Sequence, residues 1–308
     1  MPIRIPERPS YKKERRTVGF LMLAVFSLLF ICRLLTPLLP FPLAGWLFSP
    51  LIGSLALFLP ALFYLLLRGK GYLRLLRLQP PRSAHTPLLI ATLFALLSGS
   101  FLLSVLCGGT EAFGNSVIAF SVQAPKTVWE TLLSVLVCAV LPALLEELLF
   151  RGIATVEYER RGAVRAVLMS TLLFALLHFD LANLLSHLFT GALLMLVLYA
   201  TSSLYATALL HVAFNVLCLL LQRYLNALYY FTGNVSLLLF ILVTVLLVSL
   251  IVLCRACRRI YRTRDEQGLS EPRRAVPYNV QLYTVLDALT DPAVILSFLV
   301  AIAGFILF

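Results

Sequence analysis

The sequence predicts an all-α fold, a polytopic bundle of transmembrane helices, and three observations predict it. Hydrophobic residues make up 61% of the chain and charged residues only 13%, against roughly 25% charged in an ordinary soluble domain. The apolar residues come in runs of about 20, the length a helix needs to cross a hydrocarbon core roughly 30 Å thick. The few charges are ordered along the chain instead of scattered. Strand-like alternation is absent, which argues against a membrane barrel.

In chain order the apolar runs fall near 18–39, 43–67, 88–107, 128–149, 163–180, 182–200, 204–222, 235–254 and 293–308, about nine spans. The first run is followed almost at once by the second, with no small-residue cleavage site between them, so it reads as an anchor and not as a cleaved signal peptide. Lys and Arg number 6 in residues 1–17, 5 in 68–87, 4 in 151–165 and 7 in 255–292, which is 22 of the 25. With nine spans those four segments share one side of the membrane. The positive-inside rule then makes that side, and the N-terminus, cytoplasmic and the C-terminus external. Lys126 and Arg223 are left on the other side, and Arg33 sits inside the first span. A net charge of +11 therefore reads as orientation signals beside anionic lipid, with no nucleic-acid partner. A prokaryotic source would place the protein in the cell membrane.

Cys32, Cys107, Cys138 and Cys218 lie in apolar runs as small packing residues, and Cys254 and Cys257 form one CxxC with no second pair of ligands nearby. The polar stretch 255–292 reads as a cytoplasmic loop broken by Pro272 and Pro277.

Ionisable residues inside membrane spans are costly, so each one marks a candidate site. The fourth run ends in Glu146-Glu147-Leu148-Leu149-Phe150-Arg151, which sets two carboxylates at or below the cytoplasmic boundary. Glu147 and Arg151 are four apart on one helical face and can pair, whereas Glu146 points about 100° away toward a different partner. Phe174 and His178 share one face of the next run, and His211 and Asn215 share one face of a later run. His187 reads as a hydrogen-bonded packing residue and His85 as a solvated loop residue. A helix continued past Arg151 and turned at Gly162 puts Glu146 16 residues before the turn and His178 16 after it, at equal height in an antiparallel hairpin. Pro142, one turn before Glu146, predicts a kink there. Asp180 and Asn183 follow His178 so closely that the next connection lies at depth, which requires backbone buried in protein or lining a cavity.

Glu146-Glu147-x-x-x-Arg151, Phe174-x-x-x-His178 and His211-x-x-x-Asn215, ordered on successive runs, resemble the signature of the CAAX-protease and bacteriocin-processing (CPBP) family, which includes Rce1-like CAAX prenyl endopeptidases. The resemblance covers roughly residues 128–222. It implies a core at 128–222, flanked by residues 1–127, with a cytoplasmic segment and three helices, and by 223–308, with the C-terminal helices and their basic loop. It also implies an intramembrane endopeptidase open to the cytoplasm and acting on a peptide or a lipidated protein. Glu146 and His178 would activate a water, His211 and Asn215 would stabilise the oxyanion, and Glu147, Arg151 and Phe174 would support them. The residue types suit this chemistry: a carboxylate shielded from bulk water is a good general base, and an imidazole with a carboxamide offers two donors to a tetrahedral oxyanion.

Other readings use the same residues. A zinc-dependent protease would draw on the two Glu and two His. Against it, no His-Glu-x-x-His helix is present, so the expectation is no metal and no cofactor. A bacteriocin self-immunity protein would keep the cluster without defined cleavage. A proton-coupled transporter predicts symmetric halves, and no internal repeat is visible. No oligomeric state follows from the sequence.

Overall fold

The computed structural model describes residues 11–38, 45–108, 127–268 and 278–308, and among them it is helical without strands. Ten helical elements carry the fold. They are α1 (Tyr11–Leu35), α2 (Gly45–Arg68), α3 (Thr86–Gly108), α4 (Val128–Glu159), α5 (Ala163–Leu176), α6 (Leu184–Thr201), α7 (Leu204–Thr232), α8 (Val235–Glu266), α9 (Tyr278–Leu289) and α10 (Pro292–Leu307). By length and composition six of these can cross a membrane, or seven if α9 and α10, bent by 63° at Asp291, count as one span. The apolar parts of α5 and α7, 163–176 and 204–220, are shorter. Each of the nine predicted runs coincides with a helix. The protein is an integral membrane protein.

Local chemistry sets the boundaries. Thr127 caps α4 reciprocally with Glu130: its Oγ1 accepts from the Glu130 amide at 3.1 Å, and Glu130 Oε2 accepts from the Thr127 amide at 3.3 Å. Asp291 Oδ1 accepts from the Ala293 amide at 3.0 Å, and Pro292 opens α10 where a missing N–H costs nothing.

Helix α4 runs beyond its apolar run, as the hairpin turned at Gly162 requires. The predicted run stops at 149, yet the helix continues to Glu159 before a turn at Arg160–Gly162, where Gly162 adopts φ 135°. Charged residues beyond 149 do not end the helix because partners from other elements meet them. Arg68 stands 3.0 Å from Glu157, and Arg77 stands 2.7 Å from Glu159. Glu146 consequently lies about 13 residues, or roughly 20 Å, before the end of the helix.

Two apolar clusters form the core. One joins α1, α2, α4, α5 and α10 through Phe26, Phe150, Met169 and Ala301; the other joins α3, α6, α7 and α8 through Leu96, Leu194, Phe214 and Leu242. The first half of α10 packs against the first half of α1 and their second halves also meet, since Gly19 lies beside Ala293 and Phe30 lies beside Phe308. These two helices therefore run parallel and end on the same side.

Candidate active site

The site begins with Pro142. It has no N–H for the carbonyl one turn earlier, and the preceding stretch Val135–Val140 widens into π-helix. A widened turn leaves carbonyls for other donors, and Asn215 Nδ2 approaches Ala139 O at 3.4 Å. A second π-helical stretch, Glu147–Ala154, carries the carboxylate and Arg151. Within it the Phe150 carbonyl accepts from two hydroxyls, Thr155 Oγ1 at 2.8 Å and Ser170 Oγ at 3.0 Å.

The adjacent glutamates divide as their helical angle dictates. Glu147 is fully buried, and its Oε1 stands 3.0 Å from Arg151 Nη1 and 2.9 Å from His211 Nδ1. Arg151 also donates from Nη2 to the Gly191 carbonyl at 3.2 Å and lies over the Phe174 ring, 4.3 Å from its centroid. Gly191 makes this approach possible, because a Cβ there would stand 3.1 Å from Thr171 and 3.2 Å from Phe174. Phe174 thus separates the guanidinium from the imidazoles, with its ring centre 5.0 Å from that of His178 and 5.7 Å from that of His211.

Glu146 turns to the other side of α4 and faces a cavity of about 250 Å³ that His178, His211, Asn215, His187 and Arg33 also line. Its Oε2 stands 3.6 Å from His211 Nε2. His178 lies on the same cavity, but the imidazole within ion-pair distance of Glu146 is that of His211. The ring positions define tautomers. His178 Nδ1 lies 2.9 Å from the Phe174 carbonyl, which can only accept, so Nδ1 carries the proton and Nε2 is the acceptor of the neutral ring. His211 donates from Nδ1 to Glu147, and its Nε2 faces Glu146.

Sequence reasoning missed three features of this site. His187, expected as packing, stacks on His178 with ring centres 3.7 Å apart and planes 17° from parallel. The contact of Glu147 with His211 has no signal in the spacing of either motif. The contribution of α1 and α2 was invisible as well: Cys32 and Arg33 from α1, Thr36 just after it, and Ser49 and Ser54 from α2 form the near wall of the cavity. Arg33 lies over Phe179, 5.3 Å from the ring centre. Phe179 holds a left-handed φ of 49°, uncommon for a bulky residue, at the turn after His178. The connection that this turn begins is tied to the protein by hydrogen bonds: Asp180 accepts from the Asn183 amide at 3.0 Å, and Asn183 Oδ1 accepts from Ser104 at 2.7 Å. Among the described residues no group of three His, Cys, Asp or Glu side chains is arranged to hold a metal ion.

Residues 128–217 match the family model described as type II CAAX prenyl endopeptidase Rce1-like. The similarity covers 90 of the 308 residues. The match spans α4 to the middle of α7, the elements that carry Glu146, Glu147, His178, His211 and Asn215, and at family level it supports a CAAX-type intramembrane protease. No curated protein and no solved structure matches the chain.

Proposed function

We propose that this Rce1-like chain is an intramembrane endopeptidase in which Glu146, assisted by His178, activates a water, and His211 with Asn215 stabilises the oxyanion. What supports the reading above all is that these four side chains, from two helices and the turn after α5, line one cavity with the Glu147–Arg151 pair behind it.

Glu146 takes a proton from the water, and the resulting hydroxide adds to the peptide carbonyl carbon. The acceptor nitrogen of His178, its Nε2, orients that water. One amide hydrogen of Asn215 is directed to Ala139, and the second is available to the oxyanion beside His211 Nε2. His211 acts as the imidazolium, donating from Nδ1 to Glu147 and from Nε2 to the oxyanion, and Glu147 acts through it by holding the ring in that orientation. The C–N bond then breaks, and the amine leaves with the proton held by Glu146. No step requires a metal, and the expectation of a metal-free site is part of the proposal.

The test is hydrolysis of a membrane-associated peptide by purified protein in lipid, with and without chelator. Turnover insensitive to chelator supports the proposal. Chelator-sensitive turnover restored by zinc would replace the mechanism with metal-assisted hydrolysis.

A further inference from the structure

The cavity belongs to the half of the bundle remote from the basic loops. The basic face is defined by contacts that join the start of α1 to the end of α2 (Arg68 with Thr17), the end of α2 to the end of α4 (Arg68 with Glu157) and the end of α8 to the end of α6 (Arg264 with the carbonyls of Tyr199 and Ala200). The cavity is built from the last two turns of α1, the first turns of α2 and α6, the turn after α5, α4 well before Arg151 and, at its inner end, His211, Phe214 and Asn215, two to three turns into α7. Its depth is graded. Leu57, Phe174 and His211 at the inner end are buried, Arg33 and Glu146 are partly buried, and Ser49 is exposed. The cavity therefore opens toward the ends of α1 and α10, away from segments that hold 22 of the 25 Lys and Arg residues. A positive-inside bias of that size puts the basic face in the cytoplasm.

We infer that the catalytic cavity opens on the extracytoplasmic face of the membrane and takes, as substrate, the juxtamembrane peptide of a membrane-anchored polypeptide emerging on that face. This revises the cytoplasmic opening implied by the family resemblance. The orientation stands on the fold and the charge distribution alone, whereas the substrate class rests on the endopeptidase reading. Entry from outside follows the wall that α1 and α2 provide. A peptide tethered to the outer leaflet meets this wall without crossing the membrane.

The experiment uses the full chain with its six cysteines replaced and a single cysteine returned at Ser49→Cys, at the mouth, or at Gln267→Cys, on the basic face. Each is exposed to a membrane-impermeant maleimide in right-side-out and inside-out vesicles. The inference expects at least tenfold faster labelling of Ser49→Cys from the right-side-out face and the reverse preference for Gln267→Cys. Ser49→Cys labelled from the inside-out face would overturn it. A lipid-anchored fluorogenic peptide added to one face at a time supplies the second arm, with the wild-type chain in the vesicles. Cleavage confined to right-side-out vesicles supports the substrate class, and cleavage confined to inside-out vesicles overturns it. If labelling is as expected but neither face supports cleavage, the orientation is upheld, and the endopeptidase reading falls together with the substrate class built on it.

Discussion

Charged side chains gather at two levels of this bundle, and their surroundings differ. At the basic face Arg77 pairs with Glu159 at 2.7 Å and Arg161 with Asp287 at 2.6 Å, with all four side chains between 21% and 28% exposed. Beside the cavity Arg151 pairs with Glu147 at 3.0 Å, and both are sealed from solvent. The outer pairs tie helix ends together where water can replace a lost partner. The inner pair cannot be replaced, so Glu147 has one geometry, and that geometry is passed to His211 through the 2.9 Å contact on Nδ1. A charge placed where water cannot rescue it is costly, but it holds a neighbouring ring in register.

The comparison breaks first at Arg151. Removing one partner of a buried pair strands the other, at a cost of about 3–5 kcal/mol. Arg151→Ala should therefore lose most of its folded protein, read as a large drop in the thermal midpoint in detergent. A wild-type midpoint would show that Glu147 is solvated after all. A smaller and purely kinetic effect is expected at Asn215, where loss of one oxyanion donor lowers turnover by roughly 10²–10³. Asn215→Ala should keep its thermal midpoint, and turnover within tenfold of wild type would remove Asn215 from the oxyanion site. The smallest effect belongs to the basic face: Arg77→Ala should cost under about 1 kcal/mol, with turnover unchanged. A loss there as large as at Arg151 would erase the distinction between the two levels.

How much of this was legible in the sequence follows from what sequence spacing encodes. The nine apolar runs, the Glu147–Arg151 pair and the opposite heading of Glu146 follow from helical periodicity, which is local. The hairpin at Gly162 was legible because helices flank a short turn there, α4 ending at Glu159 and α5 starting at Ala163. The contact of Glu147 with His211 spans 64 residues and depends on how α7 packs against α4, which no periodicity encodes. The partners that carry α4 beyond its apolar run were hidden for a related reason. Glu157 and Glu159 look like a solvated terminus until Arg68 and Arg77, more than 80 residues earlier, are seen against them. The same long-range packing brings α1 and α2 to the cavity.

The central claim is that two adjacent glutamates do different work, with Glu146 accepting the proton of the attacking water and Glu147 holding His211 and Arg151. The most direct measurement is turnover per folded molecule and thermal midpoint, side by side, for Glu146→Gln and Glu147→Gln in lipid. The account predicts no detectable cleavage with a near wild-type midpoint for Glu146→Gln, because the amide preserves size but cannot accept the proton. For Glu147→Gln it predicts a lowered midpoint together with reduced turnover. Full activity in Glu146→Gln would contradict the account.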